Sequence, residues 1–335
     1  MKENILLSVL IPTYNRPESL IKSVNSCISN DERVEILVNS NGPQKELDYL
    51  TDLNKYLKYS YFKENRGFHN NLKFLLKKAK GKFSLILSDE DCLNTKYLED
   101  LLNWLLINSN ISIGFCDIVN EDGTYYFKSK SESITFNYFR FVSPYVHTYI
   151  SGYIINNKYL DYVEIDKLLI NNQANAYPHV ILKYHLLKKN SGKFFSKKII
   201  TRGEEVKTGG DAYSQSNDFL NFKIYGSYAR SLQYLYLKEQ FSKLNQKKLS
   251  NGMYKINLAL DFYSAIFKSN SLTGQKDIYL KEFSRANKDM LMDGLMKKKS
   301  KFMCYLIKYG NNSFVHNTIK FLRISFTKVL SIIIK

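Results

Sequence analysis

The feature that most constrains this chain is an alternation, over its first 120 residues, of short aliphatic runs with segments of helical periodicity. Leu6 to Ile11 is an apolar run that stops at Pro12, which reads as a buried strand. Pro17 stands where a first helical turn tolerates it, and Leu20, Ile21, Val24 and Ile28 follow at helical spacing. Val34 to Val38 is a second strand, closed by the turn cluster Asn39-Ser40-Asn41-Gly42-Pro43. Tyr59 to Phe62 is a third. A helix over Asn70 to Ala79 turns Leu72, Leu75, Leu76 and Ala79 inward and Lys73, Lys77 and Lys78 outward, and Gly81 ends it. The fourth strand, Phe83 to Leu87, runs straight into Ser88-Asp89-Glu90-Asp91. Short strands separated by helices predict a doubly wound, mostly parallel, Rossmann-like α/β sheet. Ligands of such sheets bind beyond the carboxyl ends of the strands, where the strand order reverses, so the polar residues after strands one, two and four face one crevice. Farther on, a helix through Leu101, Leu102, Leu105 and Leu106 precedes a strand Ile111 to Phe115, and Asp122-Gly123 marks a hairpin.

The 335 residues allow one large or two modest domains, and charge divides them. Residues 221–335 hold 21 Lys and Arg against 6 Asp and Glu, which is +15 of the net +18. The expected organisation is an α/β domain over 1–220 and a mainly helical, basic C-terminal region over 221–335. In that region His316, Lys320, Arg323, Thr327 and Lys328 recur on one face of a helix, opposite Val315, Ile319, Leu322, Phe326 and Ile333. A cationic amphipathic helix predicts contact with an anionic membrane surface, and a packed terminal helix is the alternative. No apolar run approaches the ~20 residues that span a bilayer. No stacking motif or helix-turn-helix pattern accompanies the charge, which argues against a nucleic-acid partner. The scattered Cys27, Cys92, Cys116 and Cys304 form no short-spaced pair and suit a reducing compartment. The expected location is cytoplasmic, peripheral on the inner face of the cytoplasmic membrane.

Three successive carboxylates after a buried strand repel one another, and a hard divalent cation would relieve that repulsion. A solvated acidic loop, or a cap for the following helix, would place the same residues there.

Ser8-Val9-Leu10-Ile11-Pro12-Thr13-Tyr14-Asn15-Arg16, then Glu64-Asn65-Arg66-Gly67-Phe68 with Asn71 and Ala79-Lys80-Gly81-Lys82-Phe83, and then Ser88 to Asp91 occur in order. Together they resemble family 2 glycosyltransferases of the GT-A fold, strongly over the first third of the chain. The resemblance implies a nucleotide-sugar donor, a divalent cation (Mn²⁺ or Mg²⁺) on its diphosphate, and inversion at the anomeric carbon. By position it implies that Pro12, Thr13 and Tyr14 line the nucleobase and ribose pocket, with Arg16 on the diphosphate side and Asn65 closing the base pocket. Asp89 and Asp91 would meet ribose, metal and diphosphate, with Glu90 as a close neighbour. Aligned instead on Leu93, the family's acidic pair falls on Ser88 and Glu90. The implied product is a glycan or lipid-linked glycan of a bacterial surface polysaccharide: capsule, O-antigen or lipooligosaccharide.

The chain departs from the family twice. Where the family commonly has an acidic residue reading the base, this sequence has Asn39-Ser40-Asn41, and Asn41 can still meet uracil. Where the family often has a Glu-Asp pair as catalytic base, it reads Tyr177-Pro178-His179-Val180. His179 is the candidate base, with Asp161, Glu204, Glu205 and Asp211 behind it, and a first-turn packing histidine is the other possibility. His147, Tyr149 and Gly152 are the candidate acceptor residues, with Tyr145 and Tyr153 as further aromatic candidates. A module that binds a nucleotide sugar without transferring it is the alternative function.

Overall fold

The computed structural model describes residues 5–129, 132–135, 149–169 and 178–203. The chain divides into two compact units, and all the described residues lie in the one formed by Met1–Phe139 and Tyr145–Ala212. The expected boundary after residue 220, the basic C-terminal helices, Tyr145, His147, Glu204, Glu205 and Asp211 lie outside the described residues.

Four parallel strands form one side of the sheet, in the order β3 (Leu57–Tyr61), β2 (Val34–Ser40), β1 (Leu7–Thr13), β4 (Phe83–Ile86). All residues of β1, β2 and β4 are buried. Such uniform aliphatic burial is what a parallel strand covered on both faces requires. Chain order runs β1, β2, β3 outward and then returns to place β4 on the far side of β1, so the reversal lies between β1 and β4. Strand β1 runs one residue past Pro12. The carbonyl of Thr13 accepts from Asn41 N on the β2 side, and that of Leu10 accepts from Leu87 N on the β4 side. Alternation turns the Pro12 nitrogen toward β4 beyond its last paired residue, Ile86, so the missing N–H costs no ladder bond.

Beyond β4 the sheet becomes mixed, a departure from the simple doubly wound pattern. Strand β9 (Tyr153–Asn156) lies antiparallel between β4 and β6 (Ile113–Asn120), and β10 (Gly192–Arg202) runs parallel to β6. The short β5 (Cys92–Leu93) and β8 (Ser133–Ile134) pair antiparallel with β10, and β7 (Tyr125–Phe127) folds back on β6. The predicted hairpin is this β6–β7 turn, with Gly123 at φ 78°. The strand expected over Ile111–Phe115 and the first arm of that hairpin are one continuous strand.

Helices α1 (Pro17–Cys27), α2 (Phe68–Lys78) and α3 (Leu98–Ile107) bury the leucines that their periodicity marked, except Leu106, which is exposed. Between β2 and β3 the connection is a 3₁₀ helix, Lys45–Leu53. Two further helices, α4 (Tyr162–Leu169) and α5 (Pro178–Lys189), precede β10. Among the described residues no helix is long and apolar enough to cross a membrane.

Candidate active site

The carboxyl ends of β1, β2 and β4 lie side by side about the reversal of strand order, and an asparagine network ties the first two to α2. Asn71, on the first turn of α2, donates from Nδ2 to the carbonyls of Asn39 (2.9 Å) and Thr13 (3.3 Å), and Asn39 Nδ2 donates back to Asn71 Oδ1 at 2.9 Å. Ser60 Oγ donates to Asn39 Oδ1 at 2.7 Å, which brings in β3. One step outward, Asn41 Nδ2 donates to Asn65 Oδ1 at 2.6 Å, while Asn41 Oδ1 accepts from Arg66 N at 2.9 Å. The two asparagines expected at the base pocket are therefore in contact. Each fixes the loop that leads into Gly67, whose φ of 80° starts α2.

After β1 the chain turns sharply at Asn15, the one non-glycine residue among those described with a positive φ, 52°. Asparagine tolerates that left-handed conformation better than most residues. The turn packs Tyr14 beside Gly42, where an added Cβ would sit 3.1 Å from the ring, and it carries Arg16 to the acidic loop. Arg16 Nη1 bonds both Glu90 Oε1 and, at 3.4 Å, Asp89 Oδ1. Thr13 Oγ1 donates to the other Asp89 oxygen at 2.7 Å. Burial pushes the Asp89 carboxyl above its usual range; the Arg16 charge, the Thr13 hydroxyl and the Tyr14 backbone pull it back. Ser88, offered by the alternative register, is buried and leans on neighbours: its carbonyl accepts from Ser23 Oγ and its N–H donates to Ser151 Oγ at 2.7 Å.

Asp91 faces elsewhere. Its side chain is fully buried, and its oxygens accept from Ser151 Oγ, from Tyr149 Oη (2.8 Å) and from Gly203 N (3.1 Å). Asp89 and Asp91, the pair expected at the cation, thus have different partners. Asp91 meets three neutral donors, whereas Asp89, besides its bond from Thr13, converges with Glu90 on one cationic nitrogen. Among the described residues no three His, Cys, Asp or Glu side chains group as a metal site. Two adjacent carboxylates meeting on one positive atom nonetheless suit Mg²⁺ or Mn²⁺, which take one or two protein carboxylates and complete their shell from phosphates and water.

The remaining candidates separate. Gly152, at φ 87°, bridges strands through its backbone: its N–H donates to the Ile86 carbonyl and its carbonyl accepts from Cys116 N, each at 2.9 Å. Tyr149 supports Asp91. Tyr153 is fully buried, edge-on to Phe115, so it is a core residue and offers no open face to a sugar. His179 is 2% exposed, with its ring 5.2 Å from that of Tyr153 and 6.3 Å from that of Phe68. A base must reach the acceptor hydroxyl, and this enclosed ring packs α5 against its neighbours instead. Asp161 caps α4, accepting from Val163 N (3.0 Å) and Glu164 N (3.2 Å). The sequence reading missed Ser151 as the Asp91 partner, and missed Arg202 and Gly203. The last two follow the run Ile199-Ile200-Thr201, the same strand-end signal that marked the acidic loop.

Residues 8–162 match the model of Glycosyl transferase family 2. That segment, a little under half of the chain, is similar to glycosyltransferase family 2. No curated protein matches the sequence. Among solved structures the chain is similar to S. aureus TarS, with a TM-score of 0.54 at 13% identity over 92% of this chain. It spans about half of that chain, 53%. Structures of TarS 1–349 in complex with UDP (TM-score 0.49, 16% identity, 92% of this chain and 93% of that one) and with UDP-GlcNAc (0.46, 18%, 84% and 88%) are also similar. At 13% identity the TM-score of 0.54 speaks for the fold alone, an α/β GT-A-like, mixed and mostly parallel sheet.

In this glycosyltransferase fold Asp91 locks the acidic loop to β9 and the end of β10. Removing its carboxylate strands three donors, two of them on buried or half-buried side chains, so Asp91→Ala should cost about 3 kcal/mol. Burial raises the Asp91 pKa above 3.8, so its titration stabilises the fold most in acid and the gain fades as pH climbs through the raised value. The stability gap between the wild type and the titration-silent Asp91→Asn should therefore narrow as pH rises from about 3.8. Urea denaturation at a series of pH values measures it, and a gap that widens contradicts the assignment.

Proposed function

We propose that this family 2 glycosyltransferase moves a sugar from a nucleotide-sugar donor, with a UDP-sugar favoured, to a glycan or lipid-linked glycan acceptor with inversion. The observation that carries the proposal is the convergence of Asp89 and Glu90 on Arg16 at the strand-order reversal. Asn41 and Asn65 would receive the base, since an amide retains both an acceptor lone pair and a donor hydrogen for the uracil edge. Thr13 and the Tyr14 backbone hold Asp89 in place for the ribose and diphosphate side. Arg16 offers a fixed positive charge where the leaving diphosphate develops negative charge, and such preorganised charge stabilises the transition state. Asp89 and Glu90 would hold the divalent cation, which when bound supplies Lewis-acid stabilisation of the leaving group. Asp91 keeps the loop in register without touching the cation.

Nucleotide binding tests this. UDP should raise the melting temperature in Mn²⁺, EDTA should abolish the shift, and Glu90→Gln should weaken Mn²⁺-dependent UDP binding about tenfold by titration calorimetry. Binding indifferent to both EDTA and Glu90→Gln would overturn the assignment.

We also propose that the basic segment over residues 297–335 brings the enzyme to an anionic membrane surface, where a lipid-linked acceptor would lie. Several lysines near such a surface contribute about 1 kcal/mol each. The full chain should float with phosphatidylglycerol vesicles in low salt and release in high salt. Equal flotation with neutral phosphatidylcholine vesicles contradicts this.

A further inference from the structure

An exposed tyrosine on β7 stands beside the acidic loop in a fixed pose. Tyr126 is 48% exposed, although its ring already has two partners. The guanidinium carbon of Arg202 lies 4.7 Å from its centroid, and the Tyr149 ring lies 5.0 Å away at 59°. The same guanidinium reaches 5.9 Å from the Tyr149 ring. Tyr149 and Gly203, the residue after Arg202, both donate to Asp91. The ring is therefore linked through two contacts to the residue that follows Glu90. Its neighbour Tyr125 takes the opposite side of the strand, under Lys128 and Lys198.

We propose that Tyr126 is the stacking platform of an acceptor subsite for a pyranose ring. This rests on the glycosyltransferase function proposed above. A pyranose has an apolar C–H face and a rim of hydroxyls. An aromatic ring suits the face. Single exposed aromatics are common on protein surfaces. What sets Tyr126 apart is that its partners immobilise the ring before any ligand arrives, which lowers the ordering cost of binding. Its partners also tie it to the loop assigned to the donor diphosphate, so a sugar stacked there would be held in fixed register with that loop. Tyr149, an acceptor candidate from the sequence, supports this platform instead of forming it.

Saturation-transfer NMR with methyl β-D-glucopyranoside, methyl β-D-galactopyranoside and methyl N-acetyl-β-D-glucosaminide tests the platform on the full chain, alongside Mn²⁺-UDP titration. At least one pyranoside should bind. Tyr126→Ala should weaken it about tenfold, the loss of one good aromatic contact. Tyr126→Phe should retain it, and both variants should bind Mn²⁺-UDP as the wild type does. Pyranoside binding unchanged in Tyr126→Ala, or no pyranoside bound by the wild type, overturns the platform and leaves the donor assignment standing if Mn²⁺-UDP binds. Pyranoside binding that needs Tyr126 in a protein that ignores Mn²⁺-UDP overturns the donor assignment and keeps the platform.

Discussion

Three carboxylates in succession at the end of a buried strand are the constraint that the rest of this structure accommodates. Left facing one another in a low-dielectric setting they would repel strongly. The fold resolves the repulsion by giving them different partners. Asp89 and Glu90 turn to Arg16, delivered by the left-handed turn at Asn15, while Asp91 turns the other way to Ser151, Tyr149 and Gly203. The four partners come from three places: the loop after β1, the turn before β9 (Tyr149 and Ser151) and the end of β10. The acidic loop thus serves as the point where the parallel half of the sheet and the mixed half are joined.

That division of labour also sets the chemistry. Asp91 meets neutral donors, whereas Asp89 and Glu90 share the Arg16 cation, a charge whose place a metal ion could take. By this criterion Asp89, Glu90 and Arg16 would form the reactive face. Asn39 and Asn41 at the end of β2, with Asn65 and Asn71 before and on α2, form a neutral polar network. The aromatic pair of Tyr126 and Tyr149, with Arg202 over both rings, is tied to the loop through Asp91. Donor and acceptor functions would then be assigned to different residues of one loop.

Much of this was legible in the residue order. Strands β1, β2 and β4 announced themselves as aliphatic runs because parallel strands are buried on both faces, and the loops after them held the polar residues that converge. Helix α2 was legible from its leucine spacing. The antiparallel insertion of β9 was not, because Tyr153-Ile154-Ile155-Asn156 is too short for its pairing to be read from hydrophobicity alone. The roles within Asp89-Glu90-Asp91 were equally hidden: a one-residue change of register exchanges ligand and strut, and only the contacts with Ser151 and Arg16, distant in sequence, distinguish them. His179 shows the converse. Its residue type suggested proton transfer, while its surroundings, the rings of Phe68 and Tyr153, make it part of the packing.

The central claim is that the cation-facing carboxylates are Asp89 and Glu90, with Asp91 turned away as a strut. A crystal structure of the protein soaked with UDP and Mn²⁺ tests it most directly. The account predicts anomalous manganese density bonded to oxygens of Asp89 or Glu90 and of the diphosphate, with Asp91 still bonded to Ser151 and Tyr149. Manganese ligated by Asp91, with Ser151 and Tyr149 released, would contradict it.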